Sequence, residues 1–275
     1  MGFSETDLMQ VAAILREAAR VEIMPRFRAL RPEDVRSKSG KQDLVTVADV
    51  AAEARIAQAC QAAFPGVMMV GEEAAAGEPG LIAGLRGAAF AIVVDPIDGT
   101  SNFAAGLPLF GVMAAVVVNG ACVGGVILDP VCDSFSWALA GQGAFERAAD
   151  GSEVPLHVAP PVPVADMVGM VSWRFMPPAL RAVVPGRMTR LSQSWDHRCA
   201  AHEYRLMLAG HSDVVVFNRL MPWDHLAGAL LVREAGGYAA RFDGSAYVPG
   251  DVDGGLICAA DADAWAAVRQ AIIGE

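Results

Sequence analysis

The residues best equipped for chemistry are carboxylates at chain turns. Asp95-Pro96-Ile97-Asp98-Gly99-Thr100-Ser101 follows the apolar run Ala91-Ile92-Val93-Val94, which reads as a buried strand. Pro96 fixes its own φ and removes a donor. Gly99 permits a tight bend and a close approach of a ligand to the backbone. The outcome is a stiff turn with two acids, then backbone N–H groups and hydroxyls. Two carboxylates with a carbonyl suit a hard cation such as Mg²⁺. The N–H groups of Gly99 and Thr100, with Ser101 beyond, suit a phosphate.

Three further acids sit at comparable places. Gly71-Glu72-Glu73 ends the strand-like run Val67-Met68-Met69-Val70, and adjacent acids there read equally well as a solvated turn. Asp49 falls in the first turn of a helix predicted to run to about Phe64, where an acid complements the helix dipole. Asp224, in Pro222-Trp223-Asp224, reads as the N-cap of a helix running to about Ala235. Other site chemistries fit poorly. His157, His197, His202, His211 and His225 form no metal-binding spacing. An EF-hand loop starting at Asp95 would need its closing Glu where Gly106 stands.

The Asp95–Phe103 stretch resembles the first signature of the inositol monophosphatase family, the Mg²⁺-dependent, lithium-sensitive sugar and polyol phosphatases. Gly71-Glu72-Glu73 and Trp223-Asp224-His225-Leu226-Ala227-Gly228 resemble its other motifs, in the same order along nearly the whole chain. The resemblance implies an αβαβα sandwich, a small phosphorylated metabolite as substrate and pairing into homodimers. It makes Glu72, Asp95, the Ile97 carbonyl, Asp98 and Asp224 metal ligands. One Mg²⁺ is expected on Glu72, Asp95 and Ile97, and a second on Asp95, Asp98 and Asp224; the resemblance allows a third on Glu72. The Lys38, Asp43, Thr46 and Asp49 spacing is similar to the family's segment in which the matching aspartate activates water, with Lys38 near the metals. Thr100, hydrogen-bonded toward Asp49, is expected to take the water's proton, and Gly99, Thr100 and Ser101 to hold the phosphate.

Unpaired, these acids would repel and raise one another's pKa; cations remove that cost. Phosphatases with a strand-end Asp-x-Asp use the first Asp as nucleophile, but here two residues separate the acids, so direct attack by water is expected. Substrate identity is less legible. Inositol-binding members carry an acid where Phe217 stands and Gly-Ser where Arg198-Cys199 stands. Phe217 favours a flatter leaving group, and Arg198 is suited to a second anion. Histidinol phosphate, fructose 1,6-bisphosphate and a nucleotide 3′-phosphate stay open beside inositol 1-phosphate, as does a non-catalytic regulatory protein on the same fold. His197, Arg198, Glu203 and Phe217 are the pocket candidates.

The scaffold must bring these segments together. With 275 residues the chain can bury a shared core. A proline cluster after Ala149 divides it into 1–150, with most candidate ligands, and 151–275, with Asp224 and the pocket. Ser4-Glu5-Thr6-Asp7 reads as a capping box opening a helix, and residues 31–42 as an exposed loop. Asn119-Gly120 between apolar runs predicts a hairpin. A net charge of −10 argues against a nucleic-acid face. No apolar run reads as a membrane span, and the N-terminus does not read as a signal peptide. Five scattered cysteines without a CxxC pair point to reduced thiols in a cytoplasmic protein.

Overall fold

A computed structural model describes residues 2–40 and 43–274, apart from the side chains of residues 38–40 and 43. The first half holds α1 (Glu5–Ala18), β1 (Val35–Gly40), β2 (Asp43–Thr46), α2 (Val47–Ala63), β3 (Met68–Gly71), α3 (Glu72–Gly77) and α4 (Gly80–Gly84). It continues with β4 (Phe90–Asp98), α5 (Thr100–Ala104), β5 (Gly111–Val118), β6 (Ala121–Asp129), β7 (Ser134–Leu139), β8 (Ala144–Arg147) and β9 (Glu153–Pro155). The second half holds β10 (Val168–Val171), α6 (Pro178–Arg187), β11 (Gln193–Trp195), α7 (Ala200–Leu208) and β12 (Val214–Phe217). It ends with α8 (Pro222–Glu234), β13 (Tyr238–Arg241), β14 (Leu256–Ala259) and α9 (Ala262–Val268).

Strands β3 to β9 form a seven-stranded sheet in sequence order, and the other main sheet runs β11-β10-β12-β14-β13. Both sheets are covered on both faces, as their continuous apolar strands require. On β4, Ile92 and Val94 pack with Leu8, Val11 and Ile56 of α1 and α2. Their neighbours Ala91 and Val93 face the opposite way, into the layer containing Tyr204 of α7 and Leu231 of α8. On β12, Val215 and Phe217 meet that same layer, while Val214 and Val216 face Val184 of α6 and Val268 of α9. The period-two alternation therefore stacks five layers, helix–sheet–helix–sheet–helix, the αβαβα sandwich. One hydrophobic cluster spans both sheets through α7 and α8.

Several local predictions meet their physical causes here. Ser4 and Asp7 form the capping box of α1. Asn119 and Gly120 both have positive φ, as a type I′ hairpin turn requires. Residues 35–40, expected in a loop, instead pair antiparallel with β2; the polar run Arg36-Ser37-Lys38-Ser39 hid a strand whose Arg36 and Ser37 are exposed. Asp224 is not the N-cap of α8. Met221 takes that place and Pro222 the first helical position, which proline favours because its missing N–H has no intrahelical partner.

Small residues set how closely the middle layer approaches. A Cβ on Gly228 of α8 would lie 2.2 Å from the Tyr204 ring, and one on Gly111 of β5 would lie 2.5 Å from the Ala201 Cβ of α7. Alanine normally stabilises a helix by about 0.5–1 kcal/mol over glycine. At Gly228 the clash outweighs that gain, and Gly228→Ala is predicted to destabilise the protein by about 1–3 kcal/mol. Gly186→Ala in α6, where nothing lies within 4 Å of the added atom, should be neutral or stabilising. Urea unfolding midpoints of the two variants test the contrast.

Candidate active site

The site lies where the C-terminal ends of β4 and β12 meet the N-termini of α5, α7 and α8. Asp95 and Asp98 are three residues apart, a spacing that would put them on opposite faces of a regular strand. The register of β4 against β5 shifts between them: Asp95 pairs with Met113 but Asp98 with Gly111. This bulge re-aims the strand end so that both carboxylates reach one place. Asp224, in the first turn of α8, joins them. Ligand atoms of Asp95, Asp98 and Asp224 all lie within 4.8 Å of one another. Glu72 lines the same cleft but stands outside this tight trio.

Asp95 and Asp98 are held by named donors. Asp95 accepts from the Ile97 backbone N–H at 2.9 Å. Asp98 Oδ2 accepts from the Ala201 N–H at 2.6 Å and lies 3.0 Å from the Cys199 thiol. Burial and mutual repulsion then act on protonation. Asp95 is pushed well above the usual carboxylate range, by desolvation first and then by Glu72, Asp224 and Asp98. Desolvation likewise raises Asp98 to about 6 and Asp224 to about 8. A convergent set of hard oxygen donors whose charges oppose one another fits a divalent cation.

Beside this trio, α2 supplies a further acid. Asp49 is fully buried. Its Oδ2 accepts from the Thr46 N–H at 2.8 Å and the Thr46 hydroxyl at 2.6 Å. Its Oδ1 lies 3.2 Å from Thr100 Oγ1, which is also 3.0 Å from the Ile97 carbonyl. Gly99 adopts φ 88 as the N-cap of α5. A Cβ there would lie 2.9 Å from the Leu109 carbonyl, so both conformation and space call for glycine. The first bonds of α5 are donated by Asn102 and Phe103 to the Gly99 carbonyl. The N–H groups of Gly99 and Thr100 lie ahead of them, at the cleft.

Among the pocket candidates, Arg198, Glu203 and Phe217 line the cleft together with Gly99, Thr100 and Ser101. Glu203 is buried, and one of its oxygens accepts from the His197 N–H at 2.8 Å. His197 itself is not among the lining residues; its Nε2 accepts from Trp195 Nε1 at 2.6 Å. Phe217 packs on the His225 ring at 4.5 Å. His225 donates from Nε2 to the Arg219 carbonyl and accepts at Nδ1 from the Tyr204 hydroxyl. Burial lowers its pKa to about 3, so it stays neutral with both nitrogens engaged. The side chain of Lys38 lies outside the described residues.

Sequence reasoning missed residues that support or line the cleft. Glu53, one helical turn after Asp49 on α2, accepts from the N–H groups of Glu73 and Ala74, each at 2.8 Å. It thereby caps α3 and orients the turn that carries Glu72. The approach is close enough that a Cβ on Gly71 would meet Glu53 Cδ at 2.2 Å. The (i, i+4) spacing of Asp49 and Glu53 was the available signal. Arg174, Phe175 and Arg219 also line the cleft. Their signal was position alone, just beyond the C-terminal ends of β10 and β12, where open α/β sheets place ligands.

Comparison with known proteins now decides the family. The model of the inositol monophosphatase family matches residues 6–273. This chain belongs to the inositol monophosphatase family. Among its relatives, an inositol-1-monophosphatase of Mesorhizobium japonicum is 34% identical over 76% of each chain. A protein of Pseudomonas aeruginosa named Nus factor SuhB is 32% identical over 80% of each. The solved structure of an inositol monophosphatase from Thermotoga maritima matches with a TM-score of 0.79 at 25% identity, covering 98% of this chain and 95% of that one. The inositol monophosphatase match thus spans both sheets and every segment of the carboxylate cluster.

The raised carboxyl pKa values set a pH dependence. The folded, cation-free protein holds protons that the unfolded chain releases above about pH 4. Stability from these groups is therefore complete below about pH 4. It is lost as pH rises through the folded values of about 6 for Asp98 and about 8 for Asp224. Denaturation in EDTA should give midpoints that fall from pH 5 to pH 8, and saturating Mg²⁺ should remove most of that fall. A flat cation-free profile would contradict the repulsion.

Proposed function

We propose that this protein is a Mg²⁺-dependent phosphomonoesterase that hydrolyses a small phosphorylated metabolite by direct attack of water. The observation that carries the reading is the Thr100–Asp49 hydroxyl–carboxylate pair set beside the converged Asp95, Asp98 and Asp224. Asp95, Asp98 and Asp224 would hold one Mg²⁺, and Glu72 with Asp95 and the Ile97 carbonyl another. When bound, such ions lower the pKa of a water and neutralise charge on phosphate oxygens.

The remaining work falls to the chain. The Gly99 and Thr100 N–H groups, with Ser101 at the rim, receive the phosphate oxygens, so the phosphorus sits over the α5 N-terminus. Thr100 Oγ1 takes the proton of the attacking water as its own proton moves to Asp49 Oδ1. Asp49 is suited to this because Thr46 saturates its other oxygen and fixes its direction. The bond from phosphorus to the leaving oxygen breaks as the new P–O bond forms, and that oxygen is protonated from solvent. The catalysis is positioning and charge neutralisation, as phosphoryl transfer requires.

Relatives named Nus factor SuhB support a second reading, a regulatory role carried by the same fold. The acid cluster and the hydroxyl–carboxylate pair favour catalysis, since a purely regulatory surface has no need of buried, mutually repelling carboxylates. Phosphate release from inositol 1-phosphate and histidinol phosphate with Mg²⁺ tests this directly. Asp98→Asn is predicted to abolish turnover, and Thr100→Ala to lower kcat by about 10²–10⁴, both with unchanged circular dichroism. Full activity in either variant, or a trapped phosphoenzyme, would overturn the mechanism.

A further inference from the structure

Beyond the carboxylates the cleft changes sign. Arg174, Arg198 and Arg219 come from three separate segments and all line it, in a chain whose net charge is −10. Two of them flank one ring: Cζ of Arg219 lies 4.8 Å and Cζ of Arg174 5.5 Å from the centroid of Phe175. Phe175 is 49% exposed, so part of its ring faces the cleft's solvent and is open to a stacking partner. The three segments are tied together. Asp196 Oδ2 lies 3.6 Å from Arg174 Nε, and its Oδ1 accepts from the Arg198 backbone N–H at 2.6 Å. The Asn218 side chain donates to the Phe175 carbonyl at 2.9 Å.

Arg198 is held under strain. Its φ is 56, a left-handed conformation that is unfavourable for a non-glycine residue. Its guanidinium donates to Asn102 Oδ1 at 2.7 Å. The amide of buried Asn102 is itself anchored on the Leu109 and His197 carbonyls. The strain thus sets the guanidinium beside α5, next to where the phosphate is received.

The neighbouring acids among the described residues do not form ion pairs with Arg198 or Arg219, although Asp224 is close enough to feel the Arg219 charge. Asp196 is engaged as above, and Glu203 is buried with one oxygen on His197. Among the described residues neither Arg198 nor Arg219 has a carboxylate within ion-pair distance. Planar guanidiniums recognise carboxylates and phosphates through paired, charge-assisted bonds.

We propose that the leaving-group end of the cleft is a subsite for a second anion carried on a flat ring, with Arg198 and Arg219 as its ligands and Phe175 as the stacking platform. The shared chemistry is a carboxylate or a second phosphate. The inference rests on the phosphomonoesterase reading for the orientation of the substrate.

Phenyl phosphate, 4-carboxyphenyl phosphate and 1,4-phenylene bisphosphate provide a matched series, with glycerol 3-phosphate and 3-phosphoglycerate as the ringless pair. With Mg²⁺, kcat/KM should favour the doubly anionic aryl esters over phenyl phosphate by about tenfold or more, the worth of one charge-assisted bond. The ratio between the carboxylate and bisphosphate esters identifies which anion the subsite prefers. The preference should collapse toward one in Arg198→Gln with Arg219→Gln. In Phe175→Ala, the advantage of the aryl over the glycerol pair should shrink.

Binding is read separately by calorimetry on the Asp98→Asn protein with the same aryl esters, which needs no turnover. If nothing is hydrolysed but the carboxyphenyl ester still binds about tenfold more tightly than phenyl phosphate, in an arginine-dependent way, the phosphomonoesterase reading fails and the subsite stands. Equal binding of the two esters, or a preference that survives loss of both arginines, overturns the subsite.

Discussion

Everything in this structure answers to one electrostatic cost: three carboxylates, Asp95, Asp98 and Asp224, share a space where they repel. Their ligand atoms lie within 4.8 Å of one another and burial raises all three pKa values. Such an arrangement survives only if the surrounding structure over-determines it. The layer of α7 and α8 between the two sheets does so, with Gly228 against Tyr204 and Gly111 against Ala201. The same packing brings the Ala201 N–H onto Asp98 and delivers Asp224 from the other half of the chain. Core packing and the cost of the site are two sides of one construction.

The second half contributes more than a ligand. The buried side chain of Asn102 bridges the α5 turn to the His197 carbonyl and the Arg198 guanidinium. The phosphate end of the cleft and its arginine wall are therefore one hydrogen-bonded unit. A substrate that engages the arginines is registered against the carboxylates, which is the geometric requirement for a positioned displacement.

The Asp95–Asp98 pair was legible because local chemistry marks it, as a strand-end acid pair with glycine, whereas Asp224 read by itself only as a helix cap and was joined to the pair by the family resemblance. The unbroken apolar runs of β4 and β5 likewise pointed to a sheet covered on both faces. What stayed hidden depends on long-range geometry. The bulge that turns Asp98 toward Asp95 exists only in the pairing of β4 with β5. Glu53 looks like any helix glutamate until α3 docks on it. Arg174, Phe175 and Arg219 carry no motif, and only the meeting of β10 and β12 with α5 makes them neighbours. The strand at 35–40 was missed because its polar residues show no buried face.

The central claim is that these acids converge in order to hold a divalent cation. Anomalous scattering from crystals grown with Mn²⁺ in place of Mg²⁺ tests it most directly. The account predicts a peak within bonding reach of Asp95, Asp98 and Asp224 together, at about 2.0–2.3 Å from their oxygens. A cleft without anomalous density at that point under saturating Mn²⁺, or an ion that leaves Asp224 unbound, would contradict it.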